Sequence, residues 1–201
     1  MNVEVDRKPE TRVCQGDLIR NVACVEDVLE DGDVVEIKRI VFPLVIVLTQ
    51  DCDLQQDDSI RACTQKPPTT HNTQLLSVLV APAYNSAHFE LGEHLIELGL
   101  KMWTVPTVKE KGRASTEERI LRQNKNPRYH YLQFDADIGI VDSVVDFKHY
   151  FSVNVQYLKR IKPQKCAGKL STLYREDVSQ RFASFLGRIG LPDYSLAPSA
   201  K

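Results

Sequence analysis

Residues Phe42 to Asp58 read FPLVIVLTQDCDLQQDD, and the apolar run ends in two carboxylates and a thiol, Asp51, Cys52 and Asp53. These side-chain types hold cations, move protons and attack electrophiles. If the strand implied by the apolar run continues through them, Asp51 and Asp53 point to one face and Cys52 to the other. The carboxylates could then share a cation or bracket a ligand, while a cysteine nucleophile would need a base beside it. The imidazoles that could serve are His71, His130 and His149. A second reading has the two aspartates capping a turn, or the short helix that begins at Leu54, with Cys52 filling the edge of the core.

A different chemistry is suggested by Arg128, Tyr129, His130 and Tyr131, preceded by Lys109, Lys111, Arg113, Arg119, Arg122 and Lys125. Lysine and arginine contact phosphates, and exposed tyrosines on a strand offer stacking platforms for unpaired bases. The partner implied is single-stranded nucleic acid. Against this, Glu110, Glu117 and Glu118 interleave with the cations, and the tyrosines could instead pack a helix on a sheet. A further basic stretch, Leu158 to Lys169, reads LKRIKPQKCAGK.

The chain as a whole narrows these choices. Its 201 residues, 42% apolar and 26% charged, suit one ordinary globular domain spanning 1–201. Five scattered cysteines without a CxxC pair point to a reducing, cytoplasmic setting, with neither a metal nor another cofactor expected. No apolar window is long enough to span a bilayer, so no membrane partner is expected. Charge is divided unevenly: residues 1–100 carry 8 basic and 17 acidic side chains, residues 101–201 carry 18 and 10. The positive half could face a polyanion, or the acidic half of a second copy in a homodimer.

The elements that must position these residues can be read in outline. Residues 1–10 are polar and expected to be loose. Asp31-Gly32-Asp33 between Val28-Leu29 and Val34-Val35 is a hairpin signal. Phe42 to Thr49 and LLSVLVAPAY, ending at Tyr84, read as buried strands, with Val45 to Leu48 and Val78 to Val80 inaccessible. Residues 54–74 read as a long polar loop. Leu91, Leu95, Leu98 and Met102 suggest an amphipathic helix, and Ser115 with Glu118 caps a short one ending near Gln123. RYHYLQF resumes as a strand, and residues 143–158 supply one long or two short strands. Leu170, Tyr174, Val178, Phe182, Phe185 and Ile189 mark a closing helix over 170–190. The fold expected is β-rich α+β: barrel strands over 13–84 and 127–158, a helical insertion over 86–125 and a C-terminal helix.

QGDLI at Gln15 to Ile19, then FPLVIVLTQDCD, then LLSVLVAPAY resembles the order of elements in the MazF/PemK-like toxins, over residues 13–84. That resemblance implies a small SH3-like barrel, and family toxins are dimers. The family's ribonuclease uses an arginine just before the strand's proline and a threonine at the end of the second buried strand. Here Phe42 stands in the first position and Ala81 or Pro82 in the second, and none of these can stabilise a pentacovalent phosphate or move a proton. The resemblance therefore implies the barrel without that ribonuclease chemistry. The order GDLI, TQDCDL, RYHYL and GRIGLP also resembles a group of bacterial proteins without an assigned activity.

Overall fold

A computed structural model describes residues 2–8, 10–63, 72–100 and 116–188. Its scaffold is a long hairpin of β2 (Asp17–Asp31) and β3 (Val34–Val47), joined by the two residues Gly32 and Asp33. Gly32 sits at φ +57° at the first central position, a conformation a two-residue hairpin loop needs and glycine adopts without a Cβ clash. The β-branched run before Thr49 is buried on both faces. Val45 and Val47 enter one apolar cluster, and Leu44, Ile46 and Leu48 the other.

Around this hairpin the sheet is antiparallel throughout, with eight strands in the order β1-β8-β2-β3-β4-β6-β5. It curls into a half-barrel. Here β1 is Val5–Asp6, β4 Ser77–Asn85, β5 Tyr129–Leu132, β6 Ser143–Asp146 and β8 Cys166–Leu170, while β7 (Phe151–Asn154) also pairs with β4. Helices cover both faces. α1 (Asp51–Ala62), α2 (Ser86–Leu91), α3 (Thr116–Arg122) and α4 (Val155–Lys165) add Leu54, Phe89, Leu121 and Leu158 to the first cluster. α5 (Thr172–Leu186) adds Val178, Phe182 and Phe185 to the second. The fold is thus β-rich α+β.

Several local expectations change. Residues 54–62 are helix rather than loop, because Leu54 and Asp57 turn inward one helical turn apart; Asp57 is held by Arg61 Nε and the Leu75 N–H. Residues 155–158 begin a helix rather than end a strand, because the Asn154 side chain accepts from the N–H groups of Gln156 and Tyr157. The helix expected through Leu91, Leu95 and Leu98 is broken at Gly92, which takes φ +71°, and Met102 lies outside the described residues. The N-terminal segment is docked rather than loose: the Val3 N–H donates to the Gln133 carbonyl at 2.7 Å and β1 pairs with β8. Val45 to Leu48, Val78 and Val80 are buried as expected, whereas Leu79 is half-buried. Among the described residues no helix is long and apolar enough to cross a membrane.

Candidate functional site

The carboxylates of TQDCD open helix α1 and do not lie on a strand. Asp51 sits in the first turn, where a carboxylate complements the helix dipole. Its oxygens receive Arg12 Nη1 and Nη2 at 3.1 and 2.9 Å, and the Gln15 N–H at 3.1 Å. Burial raises its pKa, but the Arg12 hydrogen bond, the Gln15 amide and the charges of Arg12 and Arg175 outweigh this and lower it. Gln15 Nε2 reaches the Leu48 carbonyl and Ser179 Oγ, and Gln50 Nε2 reaches the same hydroxyl. The QGD and TQD segments are therefore clasped to each other and to α5. Asp53 and Cys52 are exposed, the thiol 3.7 Å from Asp53 Oδ1. Helix geometry, not strand alternation, separates Asp51 from Asp53.

Below this clasp lies a buried ion pair. Asp17 Oδ2 takes Lys162 Nζ at 2.6 Å and the Cys14 N–H at 2.7 Å, and Lys162 also reaches the Arg12 carbonyl. Asp17 Oδ1 has no partner. Burial raises the Asp17 pKa despite the Lys162 charge and hydrogen bond. The Cys14 thiol is pushed up to about 11, first by burial and then by Asp17, so it stays protonated and inert. Lys162, which belongs to the basic stretch Leu158 to Lys169, is an interior cation. Among the described residues no three His, Cys, Asp or Glu side chains converge as a metal set.

Among the described residues of the basic and aromatic region, the aromatic side chains turn inward and two of the arginines are already paired. Arg122 uses Nε on Glu118, Nη2 on Glu90 and Nη1 on the Tyr131 hydroxyl, at 2.9 to 3.0 Å. Arg128 forks onto buried Asp146 at 2.8 and 2.6 Å and covers the Tyr129 ring. Tyr129 packs edge-on against Phe89, and Tyr131 is buried with its hydroxyl donating to Asp142. The tyrosines are thus core and network residues, because β5 is covered by α3 and not left open. Lys125 is exposed, and Lys109, Lys111 and Arg113 lie outside the described residues.

His130 is 2% exposed, with Nδ1 unpartnered and Nε2 3.9 Å from Asp177 Oδ2. Burial, then the Arg181 charge, brings its pKa down to about 3. It lines a cavity of about 230 Å³ with Arg122, Asn124, Tyr131, Tyr174 and Asp177. Asp51, Cys52 and Asp53 are not in that wall, so the two sequence candidates do not share it.

A second cavity, of about 270 Å³, has walls at Arg20, Pro43, Leu44, Ala83, Asn85, His88, His94 and the Gly139 to Ser143 segment. Its origin is topological. β3 pairs with β4 only from Val45↔Pro82 to Val47↔Val80. Pro43 has no N–H to extend that ladder, so Pro43 and Leu44 diverge from Ala83 and Asn85 and leave a wedge between them. Gly92, in its left-handed conformation, turns the chain back so that His94 enters this wedge between Tyr84 and Phe89, each 4.6 Å away ring to ring.

His94 is 6% exposed and neither ring nitrogen makes a hydrogen bond of good geometry, while the nearby His88 backbone carbonyl weakly favours the charged ring. Burial, outweighing the attraction of Asp146, holds its pKa down to about 4, so the ring is neutral at pH 7 and presents one N–H donor and one bare acceptor. At the mouth, Arg20 Nη2 donates to the Gly139 carbonyl at 2.8 Å, and Arg20 makes no ion pair among the described residues. Behind Tyr84 runs a chain of partners. The Tyr84 hydroxyl lies 3.0 Å from His149 Nδ1, and Asp146 Oδ2 lies 3.4 Å from the same nitrogen. Burial pushes the Tyr84 pKa far up, so the phenol keeps its proton, and the direction of its bond to His149 Nδ1 follows the His149 tautomer.

Sequence reasoning singled out neither Arg20 nor His94. The proline after Phe42 and the glycine before Glu93 were the available signals, one for a broken ladder and one for a reversal. Comparison with protein-family models and with curated proteins finds no match for the chain.

Proposed function

We propose that this chain is a ligand-binding protein whose site is the wedge between β3 and β4, and that it takes a small carboxylate with a short apolar body. The observation that carries this reading is His94, an interior imidazole with both nitrogens unpartnered, facing a cavity. Buried polar groups in folded proteins are nearly always paired, and one held unpaired against open volume is stabilised when a ligand supplies the partner. Arg20 at the mouth offers the planar fork that suits a carboxylate. Leu44, Ala83 and Ile140 supply an apolar lining for the ligand body.

The MazF/PemK-like barrel remains our proposal for the parent fold, and Phe42, packed on Tyr84 and Phe151, fits a member without the ribonuclease chemistry. Single-stranded nucleic acid is a weaker reading of the same chain, because Arg122 and Arg128 already hold carboxylates and of the described cations in that patch only Arg119 and Lys125 face solvent unpaired. An enzyme built on Asp51, Cys52 and Asp53 is weaker again, since Arg12 and the Gln15 amide occupy Asp51.

The test is thermal stabilisation by benzoate, butyrate and inorganic phosphate, each with wild-type protein and with Arg20→Ala and His94→Leu. Benzoate or butyrate should raise Tm in the wild type and in neither variant. Absence of any carboxylate effect, or an effect that survives both substitutions, refutes the reading. Salt-sensitive binding of a single-stranded oligonucleotide, weakened by Lys125→Glu, would favour the polyanion reading instead.

A further inference from the structure

The outer half of the β2–β3 hairpin has no covering layer. β8 pairs with β2 only over Asp17 to Ile19, and β4 pairs with β3 only over Val45 to Val47, so residues 23–41 form a two-stranded arm. A lone two-stranded ribbon is marginal in water. The cross-strand partners along it are Ala23↔Val41, Val25↔Arg39, Val28↔Ile37 and Glu30↔Val35. Directly opposed residues share a face. One face of the arm therefore carries Val25, Val28, Val35, Ile37 and Val41, each between 42% and 58% exposed. The other face carries Asp27, Asp31, Glu36 and Lys38 around Leu29 and Val34, with a one-residue bulge between Val25 and Asp27 keeping the two sides in register. Five large β-branched side chains in one exposed stripe on a charged-backed ribbon are a binding surface, not a solvent surface.

We infer that this stripe is a self-association surface, on which the arm of a second copy packs face to face and antiparallel. The charges decide the occupant. Within the stripe, Arg39 stands toward the root and Glu30 toward the tip, with the Val28 and Ile37 pair midway. A two-fold axis at that pair lays the root of each arm on the tip of the other, bringing each Arg39 within side-chain reach of the partner copy's Glu30 while the valines and isoleucine cover one another. A closed two-fold interface requires such self-complementarity, and a sheet packed on a sheet at about 10 Å supplies the second layer the ribbon lacks. The surface is small, at the low end of specific interfaces, so the dimer is concentration-dependent.

Sedimentation of the full chain tests this. The wild type should pass from monomer to dimer with rising concentration, and Val28→Lys and Ile37→Lys should each remain monomeric with an unchanged far-ultraviolet spectrum, since both side chains lie outside the core. Arg39→Glu and Glu30→Arg should each weaken association roughly tenfold or more. An equimolar mixture of these two single variants should associate more tightly than either alone, because every charged contact in the mixed dimer is then attractive. A wild type that stays monomeric, a dimer that survives Val28→Lys and Ile37→Lys, or a mixture no tighter than its components overturns the inference. So does capture of a different protein by a monomeric arm.

Discussion

The clasp at Asp51 and the wedge at His94 are both places where polar side chains enter the interior, and they are built on opposite terms. At the clasp, Asp51 meets Arg12, the Gln15 amide and Arg175, and the Asp17 carboxylate beneath it meets Lys162. At the wedge, a buried imidazole meets no well-formed hydrogen bond on either nitrogen. A satisfied network rigidifies the chain, whereas an unsatisfied group costs stability that folding alone does not return. The comparison teaches that the charged cluster conspicuous in the sequence holds the fold together, and the inconspicuous histidine is the better candidate for work on a ligand.

The comparison is broken most forcefully at Lys162. Lys162→Met leaves the Asp17 carboxylate buried without a counter-charge, and should cost about 3 to 5 kcal/mol in urea unfolding. A cost near 1 kcal/mol would mean that the pair is solvated and the clasp is not what supports this corner. Asp51→Asn is the next largest. It keeps the shape but removes the charge from the Arg12 fork, and about 1 to 2 kcal/mol should be lost. An unchanged midpoint would move Asp51 from the structural side of the comparison to the functional one.

How much of this was legible beforehand depends on whether the signal is local. The Asp31-Gly32-Asp33 turn, the apolar run ending at Leu48 and the short helix after Ser115 are written in neighbouring residues, and each formed close to where its pattern placed it. Helix α1 was hidden because Gln55, Gln56, Asp57 and Asp58 resemble a polar loop, and it forms because Leu54 and Asp57 are held from outside by residues of β4's approach and α4. Val155 to Leu158 has strand-like composition, and the Asn154 cap overrides it. The clasp joins residues 12–17 to 48–51, 162 and 175–179, separations no periodicity reports. Arg122, Arg128, Tyr129 and Tyr131 were read as one exposed patch for nucleic acid, because nothing local in the sequence shows that Arg122, Tyr131 and Arg128 pair with Glu90, Asp142 and Asp146.

His94 should respond in the opposite sense to the clasp. Replacing a buried unpaired imidazole with leucine removes a desolvation cost, so His94→Leu should gain about 1 kcal/mol while losing carboxylate binding. The acid limb gives an independent check. An unfolded histidine titrates near 6.5, whereas folded His94 titrates at about 4. Between those values the unfolded chain binds the extra proton, so wild-type stability falls with falling pH by about 1.4 kcal/mol per unit from this group. His94→Leu should flatten that part of the profile. His130, whose folded pKa is about 3, contributes the same sign from 6.5 down to about 3 and remains in the variant. A destabilised variant with an unaltered acid limb would show that His94 has a structural partner.

The smallest effects belong at Asp53 and Cys52, and their smallness is the sharpest statement about the motif. Both side chains are exposed on the outer surface of α1, and neither contacts Arg12, Arg175 or Lys162. Asp53→Asn removes one first-turn carboxylate from a helix that keeps Asp51, and Cys52→Ser changes a solvated atom. Each should shift unfolding by no more than about 0.5 kcal/mol. Magnesium, calcium and zinc should leave the melting temperature of Asp53→Asn and wild type equally unchanged, since Asp51, the only neighbouring carboxylate of the motif, is already committed to Arg12. A metal-dependent rise in Tm that Asp53→Asn removes would return TQDCD to the role its residue types suggest, and would show that Arg12 releases Asp51 when a cation arrives.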